Sequence, residues 1–207
     1  MSGGASGPRV RVLARERVHD GFYRFDVLSL EHERFDGGWT GPLRRELLVQ
    51  RPAVAVLPYD PVLDRVVLVE QFRTGCIDDP GEPWLVEVVA GLAETGEAPE
   101  TVAAREIHEE TGLTAGRMEL VCRYKASPGG TSEAVHVYVA EVAAPVEGGL
   151  FGAAHEGEDI RTQVVAAAEA FAMVRDGRIT AANSVIPILW LELNRERLRR
   201  EWTSEGN

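Results

Sequence analysis

At 207 residues, the chain is long enough for one full domain with its own core plus a smaller appendage. A formal net charge of −11 argues against nucleic acid as a partner, because phosphate backbones are bound through an excess of Lys and Arg. Two cysteines, Cys76 and Cys122, are too few for a disulfide framework, and no apolar run reaches transmembrane length; we expect a cytoplasmic protein with no membrane partner.

Residues 1–8, M-S-G-G-A-S-G-P, are rich in Gly and Ser and read as a disordered tail. Residues 9–51 read as strands. V-R-V alternates from Val10, Tyr23–Val27 alternates again, and Leu47–Val49 follows a turn-rich stretch around Gly37, Gly38 and Gly41. Three strands make a small antiparallel sheet that cannot bury both faces unaided. This appendage should therefore lean on the main domain or on a second subunit.

The main domain is expected over residues 52–203. Ala53–Leu57 reads as a buried strand, Tyr59-Asp60-Pro61 as a turn, and Val66–Val69 as a second strand ending in E-Q-F-R at Glu70–Arg73. A loop rich in Asp, Pro and Gly leads to one strand over Leu85–Ala90. Further on, Leu120–Tyr124 and Val135–Val142 are strands, with A-S-P-G-G-T-S-E (126–133) between them. Residues 145–162 read as a long, acidic, Gly-rich loop, a length usually functional or disordered. Ala166–Arg175 reads as a helix closed by Asp176-Gly177. Asn183 or Ser184 should cap a last amphipathic helix running to about Trp202, with Pro187 in its early turn. Strands flanked by helices on both sides predict an α/β/α sandwich.

The stretch Gly91–Leu113 carries the chemistry. Pro99 suits a first helical position, Glu100 the positive end of the dipole, and Gly112 a left-handed stop. Glu106, Glu109 and Glu110 stand at i, i+3 and i+4, so three like charges share one face and repel by about 0.2–0.5 kcal/mol per pair on an isolated helix. A divalent cation would offset that repulsion, and Mg²⁺ takes carboxylate, water and phosphate oxygens. From the triplet alone, a solvated acidic face is the simpler reading. The five His residues show no zinc spacing and receive no role.

The whole stretch changes that balance. Gly91, five residues, Glu97, seven residues, then R-E-I-H-E-E-T-G-L resembles the signature of the Nudix hydrolases at every defined position. The resemblance implies a Nudix α/β/α sandwich with the small antiparallel sheet as an N-terminal appendage. It implies a loop–helix–loop that binds Mg²⁺ (or Mn²⁺), two or three ions per site, and cleaves a nucleoside diphosphate linked to another moiety. By position, Glu106 and Glu110 are the principal metal ligands, Glu109 assists, and the Ala90 carbonyl completes the set. Gly91, Glu97, Arg105 and Gly112 are structural, with Arg105 and Glu97 pairing to hold the loop on the helix.

Outside the signature, E-Q-F-R, S-P-G-G-T-S-E, H-E-G-E-D-I-R (155–161) and A-A-N-S-V-I-P-I-L-W-L are similar to the bacterial ADP-ribose pyrophosphatase branch. That resemblance implies Mg²⁺-dependent hydrolysis of ADP-ribose to AMP and ribose 5-phosphate. Glu156 falls on the catalytic base and Glu158 on a further metal ligand. The physical logic is that helix carboxylates engaged with cations leave water activation to a separate acid. Ordinary solvated loop acids are the alternative. Arg73 is expected on a substrate phosphate, with a surface ion pair as its rival. Arg44, Arg45 and Phe22 are expected to reach the substrate from the partner subunit of a homodimer with exchanged N-terminal sheets, and Glu133 to position substrate or base. Hydrolysis of a GDP- or UDP-sugar is the alternative enzyme reading. A non-catalytic ADP-ribose sensor is the alternative from another class, and such modules usually lack a signature acid that is present here.

Overall fold

The computed structural model describes residues 9–79, 81, 83–152 and 157–204. The chain divides into two compact units, one comprising the chain through Arg51 with Lys125–Ala134, the other Pro52–Tyr124 with the chain from Val135 onward.

The first unit is an antiparallel sheet of β1 (Val10–Asp20), β2 (Arg24–His32) and β3 (Leu43–Val49), in that order. The strands are longer than alternation predicts. Irregularities between Val12 and Ala14 and between Arg17 and His19 break the period that a strict alternation test looks for. Every residue of β1 is exposed, including Val10, Val12, Leu13 and Val18. Asp26 is the exception to this openness, 1% exposed between Arg15 and Arg17. The S-P-G-G-T-S-E turn is tied to β3: Leu48 N–H donates to the Gly130 carbonyl at 2.9 Å, and Ser132 N–H donates to Leu48 at 3.0 Å.

The second unit is built on a mixed sheet. Its strands are β4 (Ala53–Asp60), β5 (Arg65–Phe72), β6 (Trp84–Glu87), β7 (Val89–Leu92), β8 (Met118–Lys125), β9 (Ala134–Glu141), β10 (Leu150–Phe151) and β11 (Ile160–Ala166). The order is β10-β11-β5-β4-β9-β8, with β6 on β5 and β7 on β4. The central strands are buried on both faces, and successive residues feed different cores. Ala55, Leu57 and Tyr59 join one core with α2 (Ala167–Arg175) and α3 (Ala182–Thr203). Val54 and Val56 join the other, beneath Val102, Ala103 and Ile107 of α1 (Pro99–Thr111). This is the α/β/α sandwich. Emptying the fully buried Ile107 position to Ala would destabilise it by about 2–5 kcal/mol.

Two departures from expectation position the site. The strand expected over Leu85–Ala90 is two strands, because β4 and β5 pair directly only at Tyr59–Val66 and Asp60–Arg65 and then splay. Into the opening run β6, on Val69–Phe72, and β7, on Ala53–Val56. At the changeover, Val88 N–H leaves the ladder for Ser184 Oγ at 3.0 Å. Ser184 is thus a fully buried tie between α3 and the sheet rather than a cap, and the N-cap is Ala181.

Candidate active site

The splay delivers β7 against α1. Pro99 starts the helix and Glu100 sits in its first turn, where Tyr138 on β9 donates to it at 2.8 Å. Gly112 ends it at φ 69°, a left-handed conformation that favours glycine, and Leu113 folds back on the Ile107 core. Gly91 lies so close to the Glu106 carboxylate that a Cβ there would collide with it, so only glycine allows the approach.

The helix acids have separate environments. Glu110 is 2% exposed and accepts the Ala90 N–H at 3.3 Å. Burial, then the Glu106 charge, push its carboxyl up to about 8, against the pull of the Ala90 bond and Arg73. Burial also raises Glu106, opposed by Arg105. Arg105 NH1 donates to Glu106 at 2.8 Å and Glu109 at 2.9 Å, while its Nε reaches Glu97 at 3.3 Å. Glu97 in turn accepts the Glu94 N–H at 3.1 Å, which fixes the preceding loop. The charge of Glu158 bears on both Glu106 and Glu110. Among the described residues, no three His, Cys, Asp or Glu side chains form a ready cation cage. The physical reason is that Arg105 draws two acids toward itself while Glu110 turns to the β7 backbone.

The donor set nevertheless fits a divalent cation. Hard carboxylate oxygens crowd one helix face, Glu110 buried and Glu106 half-buried, and burial together with the charge of neighbouring acids raises both carboxyls.

Arg73 lies just past β5, and its Nε donates to Glu87 at 2.5 Å. Glu87, only 4% exposed, is absent from the sequence-based candidates. Its signal was an acid inside the apolar run W-L-V-E-V-V-A, where a carboxylate needs a partner. Arg44 pairs with Glu46 at 2.6 Å, Arg45 donates to the Arg44 carbonyl, and Phe22 is exposed, edge-on to Tyr23. Glu133 N–H donates to Thr131 Oγ1 at 3.1 Å. These four residues belong to the first unit. Glu156 lies outside the described residues. A separate cavity of about 410 Å³ is lined by Glu70, Trp84, Leu150, Asp159 and Arg161, and holds none of the helix acids.

The geometry has clear relatives. The NUDIX domain model matches residues 49–184. The chain is 44% identical over 193 residues to the ADP-ribose pyrophosphatase of Escherichia coli (strain K12), covering 93% of this chain and 92% of that protein. It is 37% identical over 196 residues to the ADP-ribose pyrophosphatase of Haemophilus influenzae, covering 93% and 90%. A crystal structure of an ADP compounds hydrolase shares the fold, with a TM-score of 0.70 at 20% identity over 94% of this chain and 98% of that one. The splayed sheet, the glycine under Glu106 and the matched span together make this chain a member of the NUDIX family.

Proposed function

We infer that this chain is a hydrolase that cleaves ADP-ribose at its pyrophosphate bond, giving AMP and ribose 5-phosphate. The observation that carries the reading is near-full-length similarity to ADP-ribose pyrophosphatases, combined with an intact acidic helix. Water adds its oxygen to one phosphorus, and the bridging oxygen leaves with the other phosphate.

Glu106, Glu109, Glu110, Glu158 and the Ala90 carbonyl would hold Mg²⁺, two or three ions per site. Bound cations neutralise phosphate charge and lower the pKa of the attacking water. The protein's own part is to orient and exclude. Gly91 lets the loop backbone approach Glu106, Arg105 and Glu97 hold that loop, and Glu87 aims Arg73 for a substrate phosphate. Glu156 would take the proton from water; the support is its place in H-E-G-E-D-I-R, the stretch that resembles the ADP-ribose pyrophosphatase branch.

We also read the chain as a cytoplasmic homodimer with exchanged N-terminal sheets. The apolar residues exposed along β1 support that assembly, which would bring Arg44, Arg45 and Phe22 to the substrate, with Glu133 positioning substrate or base. No helix among the described residues is long and apolar enough to cross a membrane.

The test is AMP release from ADP-ribose in Mg²⁺, run beside GDP- and UDP-sugars. ADP-ribose should give a kcat/KM at least about tenfold higher, the worth of one recognition contact. A faster GDP- or UDP-sugar would overturn the substrate, and turnover in excess EDTA would overturn the metal. Light scattering that reports a monomer mass at micromolar concentration would overturn the dimer.

A further inference from the structure

One guanidinium in this site serves three carboxylates. Arg105 NH1 makes its short bonds, 2.8 and 2.9 Å, to Glu106 and Glu109, whereas its contacts to Glu97 are longer, 3.3 and 3.5 Å. The bonds expected to hold the signature loop are thus the weaker ones. Glu106 and Glu109 are also two of the acids assigned to the cation. Their oxygens cannot serve NH1 and a divalent ion at full strength together.

We propose that Arg105 is an exchangeable internal counter-cation, which holds Glu106 and Glu109 until a divalent cation takes them and retains Glu97 as its anchor. This rests on the metal site inferred above. The exchange is geometrically small, because NH1 and Nε lie on one planar fork: a turn of the guanidinium releases NH1 while Nε stays on Glu97. It is also chemically graded. Side-chain exposures of 35% for Arg105 and 49% for Glu109 leave that pair weak enough to give way first, while Glu106, 12% exposed, is the firmer hold that only a cation of higher charge displaces. Arg105 thereby lowers the affinity for the cation, in return for keeping the acids from repelling one another apart.

The test is Mn²⁺ binding to the full chain, read from the spectrum of the free ion at low ionic strength. Arg105→Gln should bind Mn²⁺ about three- to tenfold more tightly than the parent, the scale of two partly exposed ion pairs, and the gain should shrink in high salt. Glu97→Gln, which removes the anchor but not the competitor, should show no tightening. Unchanged or weaker binding in Arg105→Gln overturns the proposal. A parent that binds no Mn²⁺ overturns the metal site itself, a distinguishable result that takes the proposal with it. A second reading needs no variant. Rotation of the Arg105 guanidinium about Nε–Cζ, followed by nitrogen NMR in the parent, should speed up on saturation with Mg²⁺. A rotation rate indifferent to Mg²⁺ overturns the exchange.

Discussion

Two carboxylates in this chain are almost equally buried and oppositely treated. Asp26, in the three-stranded sheet, is 1% exposed, and Glu110, on the signature helix, is 2% exposed. Arg17 bonds Asp26 at 2.8 Å and Arg15 at 2.5 Å, so Arg17 first and then Arg15 hold that carboxyl below its usual range. Among the described residues, Glu110 has a single long bond, from a backbone N–H, and an acidic neighbour in Glu106; burial and that neighbour push its carboxyl up to about 8. The chain pairs the acid of its small sheet and leaves the buried acid of the signature helix, the one proposed to hold metal, short of positive charge.

The sharpest way to break the comparison is to neutralise each acid. Glu110→Gln keeps an acceptor for the Ala90 N–H but removes the charge. Activity should fall by about 10³-fold, the effect of losing one preorganised electrostatic group, while the melting temperature without metal holds at pH 7, because a carboxyl raised to about 8 is already mostly neutral there. Activity within threefold of the parent, with Mg²⁺ present, would move the metal site elsewhere. Next comes Gly91→Ala, whose methyl must displace the Glu106 carboxylate. Activity should drop by about 10–10²-fold with the fold kept, an effect of misplacement by about 1 Å. Unaltered turnover would mean that Glu106 need not lie against β7.

Asp26→Asn should behave in the opposite sense. It leaves two guanidiniums over a neutral group, so the melting temperature should drop while the rate per folded molecule stays the same. A variant that melts with the parent would show that the Arg15–Asp26–Arg17 cluster is dispensable.

How far the sequence revealed these features follows from their range. The bounds of α1, Pro99 at its start, Gly112 at its end and the buried central strands rest on spacing within a few residues, and they read directly; the triplet of acids alone read as a solvated face. The break at Val88 did not, because it depends on how far β4 and β5 diverge and on a hydroxyl 96 residues away. The same bond hid the role of Ser184, which resembles a cap only when its partner is unknown. Asp26 was illegible for a similar reason. Its guanidiniums arrive across a strand pairing whose register is shifted by two irregularities. The Arg105 fork was only half visible, since the resemblance pointed to Glu97 and left open which bonds are short.

The smallest expected effect concerns pH, at a third acid placed between the two extremes. Asp64 holds a left-handed φ of 56° at the β4–β5 turn, accepts the Tyr59 hydroxyl at 2.9 Å and Arg195 Nε at 2.8 Å. Burial pushes its carboxyl up, but the bonds from Arg195 and Tyr59 outweigh this and leave it below the ordinary value. A depressed folded-state pKa means that its stabilisation is fully present above the unfolded pKa, about 3.9, and fades as pH falls through the lower folded value. Asp64→Asn tolerates the same backbone conformation, so the substitution removes charge without strain. The parent should exceed the variant in melting temperature at pH 7, and the gap should close below about pH 4. Asp26, Glu141 and Asp176 are depressed as well, so both proteins lose stability in acid, but that loss is common to the two and cancels in the gap. A gap that stays constant down to pH 2 would show that Asp64 acts through shape, and the contrast between paired and unpaired acids would then lose its middle case.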